Sequence, residues 1–513
     1  MVRFSPWGHR PVRWPVSVAH LWPLTVLLGI FAFLNTHPIR PHDFWWHMAV
    51  GREILATGHI PPVDTFSFTA AGAPYPSYAA FWLPEVVLYG LYTLGGPALV
   101  VFVHSLMVTA AYGLTLALAW RISGRPRVAA AATFFAAALG INDWNVRPQA
   151  FTFFLAPLLM GAIYEVRGRT EAPAGLNRRH WGWIAVFPLG MAFWVNCHGS
   201  FPLGLLIVGL GVADEVWGGW GGGAGGRSRA RPLPRIAAGA SALALAAAAC
   251  LLNPRGPGVF SYLAGMSAHP VIQSMVPEWA PPTFSTLTGA LFLTGLLLTA
   301  ALLALSPRRP APLELLLFLA FGALGLRTLR AALWFGLVMA PVWAAHLSAL
   351  FGRQPVRVSA DRPPFLATLL ALLLAAGALV TLPWFKERLP LPPAKAGLIS
   401  AETPVAATAF LLREHPPGPL FHAMPFGSYL IWAAQPEYPV FVDSRIELYP
   451  VEVWLDYLHI SAAGCEWEER LARYGIRTLM LSPQEQPALV AAARASPHWQ
   501  QIYADPVAVI FTR

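Results

Sequence analysis

Long apolar stretches alternate with short polar segments over the first 384 residues of the chain. A run of about 17 to 25 apolar residues is long enough to cross a bilayer as an α-helix. The pattern predicts about 11 transmembrane helices, although 128–141 and 312–326 are shorter than a usual span. The predicted spans are residues 16–35, 97–119, 128–141, 148–165, 182–195, 201–217, 236–252, 284–305, 312–326, 331–351 and 364–384.

The pattern changes after residue 384, where a proline-rich connector, 385–402, precedes a region with soluble α/β patterning, 403–513. Helix-like PVAATAFLLREH, WEERLARYG and EQPALVAAARA alternate with strand-like PLFHA, YPVFVD, RTLMLS and AVIFT. We therefore expect a mainly α, polytopic membrane domain over 1–384 and a small α/β domain at the C-terminus.

Composition and charge support a membrane protein, since 56% of residues are hydrophobic and only 12% are charged. The net charge of +10 does not indicate a nucleic-acid partner, because the arginines are dispersed over short loops. With the N-terminus cytoplasmic, most arginines of the membrane domain, including those of the flexible linker WGGWGGGAGGRSRARPLPR, fall on the inner side, as the positive-inside rule requires. The prediction is a multi-pass protein of the cytoplasmic (inner) membrane with an extracytoplasmic C-terminal domain.

The first outer loop, 36–82, contains DFWWHMAVGREILATG, which has the spacing of an amphipathic helix. Trp45 and Trp46 suit the headgroup region, so we predict that this helix lies on the membrane surface. Its apolar stripe consists of Phe44, Met48, Gly51 and Leu55.

Candidate catalytic carboxylates occur in and just after this loop. Asp43 could cap the helix or present a carboxylate to a lipid-linked substrate at the bilayer boundary. His47, four residues on, shares its side of the helix and could donate to phosphate or bind a metal. Asp64 could form a turn, and Glu85 could cap the next helix; both are also candidate acids.

Other predicted outer loops carry candidate substrate-binding residues: Asp143, Arg147, His198, Arg255, Arg327 and Arg330. Arg327 and Arg330 lie three apart and would share a helical face, where they could snorkel or hold a phosphate through charge-assisted bonds. In the C-terminal region, Asp443 and Arg445 could contact an acceptor or form a loop-stabilising ion pair.

Several segments, including HDFWWHMAVGREILATGHIPPVDTFSFT, NVRPQAFTFF, WVNCHGSFPLG, LLNPRG and RTLRAALWFGL, resemble a poorly characterised prokaryotic branch of the GT-C superfamily, the phospholipid-carrier-dependent membrane glycosyltransferases. The resemblance implies sugar transfer from a polyprenyl-phosphate carrier to an extracytoplasmic glycan, lipid or protein. It maps the key acid of the first outer loop onto Asp43. Trp45 stands where a second acid is expected, so Asp64, Glu85 or Asp143 would have to supply it. A divalent cation, Mg²⁺ or Mn²⁺, could be held by Asp43 and His47.

The chemistry of such a transfer needs few groups. The departing lipid phosphate is a weak base. The reaction therefore needs only one carboxylate, which accepts the acceptor's proton, and positive charge that holds the phosphate.

Two alternatives to a glycosyltransferase stay open. A transporter would be expected to carry charges or broken helices near the bilayer midplane. An inactive assembly or scaffold protein would keep the fold without the chemistry.

Overall fold

The computed structural model describes residues 17–167, 178–220, 233–268, 271, 276–352 and 364–513. Residues 221–232 of the predicted Gly/Arg linker and many of the arginines assigned to the inner side lie outside these residues.

Each of the eleven predicted apolar stretches contains a helix, which confirms a mainly α-helical, polytopic membrane fold. Five helical stretches in the described part of the chain are long and apolar enough to cross a membrane by their own length and composition. The helices of the first 384 residues are α1 Val18–Asn35, α2 Phe44–Thr57, α3 Tyr78–Ser123, α4 Pro126–Gly140, α5 Leu155–Arg167, α6 Arg178–Val195, α7 Pro202–Trp220, α8 Leu233–Ala249, α9 Gly258–Ala268, α10 Leu287–Leu305, α11 Pro312–Arg327, α12 Ala332–Leu350 and α13 Pro364–Val380.

Helix α3 begins well before the predicted span and is broken in the middle. Gly96 has φ 63° and ψ −163°, a conformation that only glycine adopts without strain, and Pro97 follows it. The break divides α3 into a first half that packs against α2 and a second half that corresponds to the predicted span.

Helix α12 lies at the centre of the bundle, packed against α3 and α4. Every side chain from Ala332 to His346 is buried. A Cβ at Gly336 would lie 3.0 Å from the carbonyl oxygen of Ala136, so small residues set the approach of α12 to α4.

The C-terminal region forms a four-stranded sheet with strand order β1-β2-β4-β3 and flanking helices. Strand β1 pairs in parallel with β2, whereas β4 pairs antiparallel with β2 and β3. Of the predicted strands, YPVFVD forms only an isolated bridge, between Ser67 and Val440. The elements are α14 Val405–Glu414, β1 Leu420–His422, α15 Met424–Ala433, α16 Val451–Ser461, α17 Trp467–Arg473, β2 Thr478–Leu481, α18 Pro487–Ala495, β3 Gln500–Ala504 and β4 Val509–Thr512.

Helix α2 lies between α3 and the C-terminal region, so the prediction of a helix on the membrane surface is wrong. Trp45 is 0% and Trp46 4% exposed, whereas headgroup-level indoles would be partly open. The backbone N–H of Trp46 donates to Ser428 Oγ at 3.0 Å. On the other side, a Cβ at Gly51 would come within 2.2 Å of the carbonyl oxygen of Glu85. Docking of the C-terminal region therefore buries this loop.

Candidate active site

A cavity of about 430 Å³ lies where the ends of the membrane helices meet the C-terminal region. Predicted outer loops that are distant in sequence meet around it, because Asn253 Nδ2 donates to Ala79 O at 2.7 Å and Thr328 Oγ1 donates to Glu278 O at 2.9 Å. The polar and aromatic residues that line the cavity include His42, Asp43, Trp46, His47, Tyr75, Arg147, Gln149, His198, Ser200, Glu278, Trp279, Thr328, Arg330, Ser444 and Glu447.

Asp43 and Arg147 form an ion pair on the cavity wall. Asp43 stands just before α2, but its side chain makes no capping bond. Its Oδ2 instead accepts from Arg147 Nε at 2.9 Å, and Arg147 Nη1 reaches Glu278 Oε1 at 3.4 Å. Burial favours the neutral acid, but Arg147 and the Ser444 hydroxyl outweigh it and hold the pKa of Asp43 below its usual value. Asp43 is therefore ionised at neutral pH.

His47 lies one turn after Asp43 and is fixed from behind. Its Nδ1 is 2.8 Å from Glu85 Oε1, and both side chains are buried. Burial lowers the pKa of His47 to about 3, despite the nearby Asp43 carboxylate, so the ring is neutral. Glu85 lies seven residues into α3 and does not line the cavity, so it neither caps that helix nor faces the substrate space.

His198 and Arg330 line another part of the wall. The backbone N–H of Ser200 donates to His198 Nδ1 at 3.0 Å, which leaves Nε2 as the protonated nitrogen of the neutral ring. Burial, and then Arg330, hold the pKa of His198 well below its usual value. The Arg330 guanidinium lies 5.8 Å from the ring centroid of Trp279, in cation–π range.

The C-terminal region contributes Ser444 and Glu447 to the same wall, which the sequence did not predict. Ser444 Oγ is 3.5 Å from the carbonyl oxygen of His42. Glu447 Oε1 accepts from Ser77 Oγ at 2.7 Å and Tyr75 Oη at 3.0 Å. Only their place directly after the strand-like YPVFVD hinted at a site, as polar residues often follow strand ends.

Asp64 lies away from the cavity in a buried ion-pair network. Arg445 Nη2 donates to Asp443 Oδ2 at 2.6 Å, and Arg445 Nη1 donates to Asp64 Oδ1 and Tyr78 Oη. All three charged side chains are 0% exposed. The network joins the first loop to the C-terminal region, so the ion-pair interpretation of Asp443 and Arg445 holds and Asp64 has a structural partner.

The other predicted residues divide into near and distant ones. Asp143 is half-buried behind the wall; burial, and then Glu278, raise its pKa to about 7. Arg255 is exposed and does not line the cavity. Helix α11 ends at Arg327, and Thr328 turns the chain, so Arg327 is exposed while Arg330 faces the cavity. The two arginines therefore do not share a helical face.

A divalent cation does not fit the side chains around Asp43. No group of three or more His, Cys, Asp or Glu side chains that could hold a metal occurs in the described parts of the chain. The position beside Asp43 Oδ2 is taken by the Arg147 guanidinium, and His47 Nδ1 is engaged by Glu85.

Structure comparison finds solved enzymes whose folds are similar to that of this chain. An Archaeoglobus fulgidus oligosaccharyltransferase tethered with an acceptor peptide has a TM-score of 0.52 and 12% identity, covering 94% of this chain and 73% of that one. Its complex with Zn and sulfate has a TM-score of 0.53 and 12% identity, with 95% and 73% covered. ArnT from Cupriavidus metallidurans, in the apo state, has a TM-score of 0.50 and 14% identity, with 96% and 97% covered.

The chain has a GT-C fold. This confirms the resemblance at the level of fold, because the similarity to these glycosyltransferases extends over nearly the whole chain. No protein-family model and no curated protein matches the sequence. One end of the helical bundle carries the first loop, the other loops that form the cavity, and the C-terminal region.

Proposed function

We propose that this protein is a membrane glycosyltransferase that moves a sugar from a polyprenyl-phosphate carrier to an extracytoplasmic glycan, lipid or protein. The observation that carries the proposal is an ionised carboxylate, Asp43, beside the cavity-lining cations Arg147 and Arg330. The proposed orientation is that of a cytoplasmic-membrane protein, N-terminus inside, with the cavity end and the 403–513 domain outside.

In this proposal Asp43 takes the proton from the acceptor's hydroxyl or amide group. The acceptor atom forms a bond to the anomeric carbon as the bond from that carbon to the phosphate oxygen breaks. The polyprenyl phosphate leaves with the electron pair, and the proton remains on Asp43. No general acid is needed, because the phosphate leaves as a stable anion.

Arg147 and Arg330 would bind the phosphate, with the neutral His198 ring as a hydrogen-bond donor. Guanidinium groups suit phosphate because their planar N–H groups form two parallel charge-assisted bonds. Aimed at the leaving oxygen, such donors stabilise the charge that develops in the transition state.

The pairing of Asp43 with Arg147 would also tie binding to chemistry. While Arg147 holds Asp43, the carboxylate is a weak base, since its pKa is lowered. A phosphate that draws Arg147 away raises the basicity of Asp43 at the moment when a base is required. This arrangement uses residues of the chain alone and routes no step through a metal.

The test is an Asp43→Asn variant assayed with polyprenyl-phosphate sugars, with released carrier read by mass spectrometry. Loss of the general base should lower the turnover about 10²- to 10⁴-fold. Asp456→Asn, in the C-terminal region and paired with Arg470, is the matched control and should keep the wild-type rate.

The outcomes separate the competing functions. Equal turnover by wild type and Asp43→Asn would discard the role of Asp43. Carrier-linked sugar that crosses a vesicle membrane unchanged would indicate a transporter. Wild-type protein that neither releases carrier nor moves the sugar would indicate an inactive scaffold.

A further inference from the structure

The chain has only two lysines, Lys386 and Lys395, and both lie in the connector after α13. Lys386 belongs to the short helical turn Pro383–Arg388 and Lys395 to the one-turn helix Pro393–Ala396. Neither lines the cavity of the proposed transfer reaction. Two lysines in one connector, in a chain whose other fixed cations are arginines, need a separate explanation.

Lys386 is buried, and no carboxylate of the described residues pairs with it. Its side chain is 0% exposed, and its Nζ has no hydrogen-bond partner in the described parts of the chain. A buried ammonium group with no partner is costly, because it gives up its hydration and gains nothing in return. Either the amine is neutral, or an anion from outside the described parts of the chain pairs with it.

The surroundings of Lys386 are positive. Burial, and then Lys395, lower the pKa of Lys386 to about 8, so the amine still carries a proton at neutral pH. Burial also lowers the pKa of His37, which is further lowered by Lys395, Arg40 and Lys386. His37 therefore lies within electrostatic reach of Lys395, Arg40 and Lys386, and Lys395 lies within electrostatic reach of Lys386.

Backbone hydrogen bonds join the two segments that carry these groups. The N–H of Ile39 donates to Leu398 O at 2.8 Å, and the N–H of Ser400 donates to Ile39 O at 2.8 Å. Lys395 Nζ lies 5.6 Å from the ring centroid of Phe33, at the end of α1. The segment that carries His37 and Arg40 is thus fixed beside the connector that carries both lysines.

Exposed apolar side chains lie next to Lys386 along the chain. Trp384 and Phe385, next to Lys386, are 50% and 45% exposed, as expected of aromatic side chains at headgroup level. The preceding helix exposes a row of leucines suited to lipid chains: Leu366, Leu369, Leu370, Leu372, Leu373 and Leu379. An anion that approached Lys386 from such a surface would be the phosphate of a lipid.

We propose that Lys386, Lys395, Arg40 and His37 form a binding site for the phosphate group of an anionic lipid, separate from the transfer cavity. Phosphate oxygens provide the acceptors that the Lys386 ammonium lacks, and the lipid tails lie along α13. The site would fix the connector, and through it the C-terminal region, to the membrane. The proposal does not depend on the transfer reaction.

Native mass spectrometry of the full chain in detergent micelles tests this site, with phosphatidylglycerol or phosphatidylcholine titrated in. Wild type should retain phosphatidylglycerol preferentially. Lys386→Met should bind it about tenfold more weakly, the loss expected for one charge-assisted hydrogen bond. Arg413→Gln, which removes an exposed cation paired with Glu414 in the C-terminal region, is the matched control and should bind as wild type does.

Amine-selective acylation gives a second readout, because the chain offers only two lysine side chains. Phosphatidylglycerol should slow acylation of the partly exposed Lys395, whereas the buried Lys386 should react slowly with or without the lipid. Lys386→Met should weaken the protection of Lys395. Inorganic phosphate that competes with the lipid supports a phosphate site. Inorganic phosphate that protects Lys395 while phosphatidylglycerol does not would overturn the lipid source.

Lys386→Met is expected to fold, so a loss of lipid binding would not reflect unfolding. Methionine replaces a buried, unpaired amine by an apolar chain of similar length, so Lys386→Met should be at least as stable as wild type in phosphatidylcholine micelles. Phosphatidylglycerol should then raise the melting temperature of wild type more than that of the variant. Equal binding, equal acylation and equal melting shifts in the two proteins would overturn the proposal.

Discussion

The two ends of the helical bundle each bring a carboxylate, an arginine and a histidine together, but the two carboxylates differ in solvent exposure. At the cavity end, Asp43 Oδ2 pairs with Arg147 and its side chain is 22% exposed. At the other end, Glu314 is 1% exposed and accepts from Arg308 Nη2 at 2.6 Å and Ala311 N at 2.7 Å, while His346 Nε2 lies 3.1 Å from it.

The difference separates structural from functional charge. Both carboxylate oxygens of Glu314 already accept hydrogen bonds from protein groups, so they are not free to bind a ligand. The cluster caps the start of α11. Asp43 and Arg147 keep an open side towards a cavity of about 430 Å³. Residue type alone does not distinguish the two clusters. They differ in whether a ligand can reach them from a cavity. The contrast predicts that substitutions at one end change chemistry and at the other end change stability.

After Asp43→Asn, the largest effect is expected from Arg147→Gln. Removal of a guanidinium that would bind the leaving phosphate should lower kcat/KM about 10²- to 10³-fold. The pKa of Asp43, which Arg147 holds down, should rise towards its ordinary value. Because Asp43 must be ionised to act, the acid limb of the pH–rate profile should move to higher pH.

Arg147→Lys sharpens that experiment. Lysine restores the charge but cannot hold Asp43 and phosphate with a planar pair of N–H groups. Its pH profile should therefore return towards wild type while the rate recovers only in part. A wild-type rate and pH profile for Arg147→Gln would remove Arg147 from the proposed mechanism.

Glu314→Gln should produce the opposite result. Loss of the buried carboxylate charge costs about 2 kcal/mol, because the Ala311 N–H and His346 lose a charged acceptor, whereas Arg308 is 37% exposed and can be solvated. Asp43→Asn should cost less than about 1 kcal/mol, since its pair is partly exposed. Thermal unfolding in detergent and turnover per folded molecule, measured on both variants, check the contrast. A slowed turnover in Glu314→Gln with unchanged unfolding would contradict it.

The membrane part of the fold was predictable because apolar length and the bilayer dictate the same elements. All eleven apolar stretches are helical. The helix that Glu85 was expected to cap is the first half of α3, which begins at Tyr78 and is joined to the predicted span 97–119 through the break at Gly96. The placement of α2 was wrong. The sequence of an apolar helix face does not show whether lipid or protein covers it. In the structure, the C-terminal region covers the apolar face of α2.

The site was predictable only in part. Asp43, His47, Arg147, His198 and Arg330 meet at one cavity. Asp64 could not be separated from them by sequence, because its partner Arg445 lies 381 residues away. Arg327 and Arg330 have the same chemistry and neighbouring positions, and only the end of α11 decides which one faces the cavity. Ser444 and Glu447 depended on a docking that no local pattern encodes.

A smaller effect is expected at Asp143, behind the cavity wall. Its pKa is raised from 3.8 to about 7 by burial and then by Glu278. The folded protein therefore binds the proton more tightly than the unfolded chain, so this favourable contribution is complete below pH 3.8 and is lost as the pH rises through 7.

Asp143→Asn should remove that dependence. The difference in unfolding free energy between wild type and variant should change by about 1 kcal/mol over this range, given that the side chain is only half-buried. Asp456→Asn provides a control of opposite sign. The Tyr474 hydroxyl and Arg470 outweigh burial and lower the pKa of Asp456, so its contribution is lost as the pH falls. Parallel pH dependences for the two variants would contradict the assignment.

The smallest effect is expected for Glu278→Gln, which keeps the Asp43–Arg147 pair but removes the second acceptor of Arg147. The 3.4 Å contact is long and the Glu278 side chain is 33% exposed, so KM for the carrier should change only about threefold. The direction is a decrease, because a less neutralised Arg147 attracts the carrier phosphate more strongly. Glu278 also raises the pKa of Asp143, and the variant should therefore shift the pH midpoint of stability downwards. A change in KM without that shift would show that Glu278 acts on the cavity alone and not on Asp143.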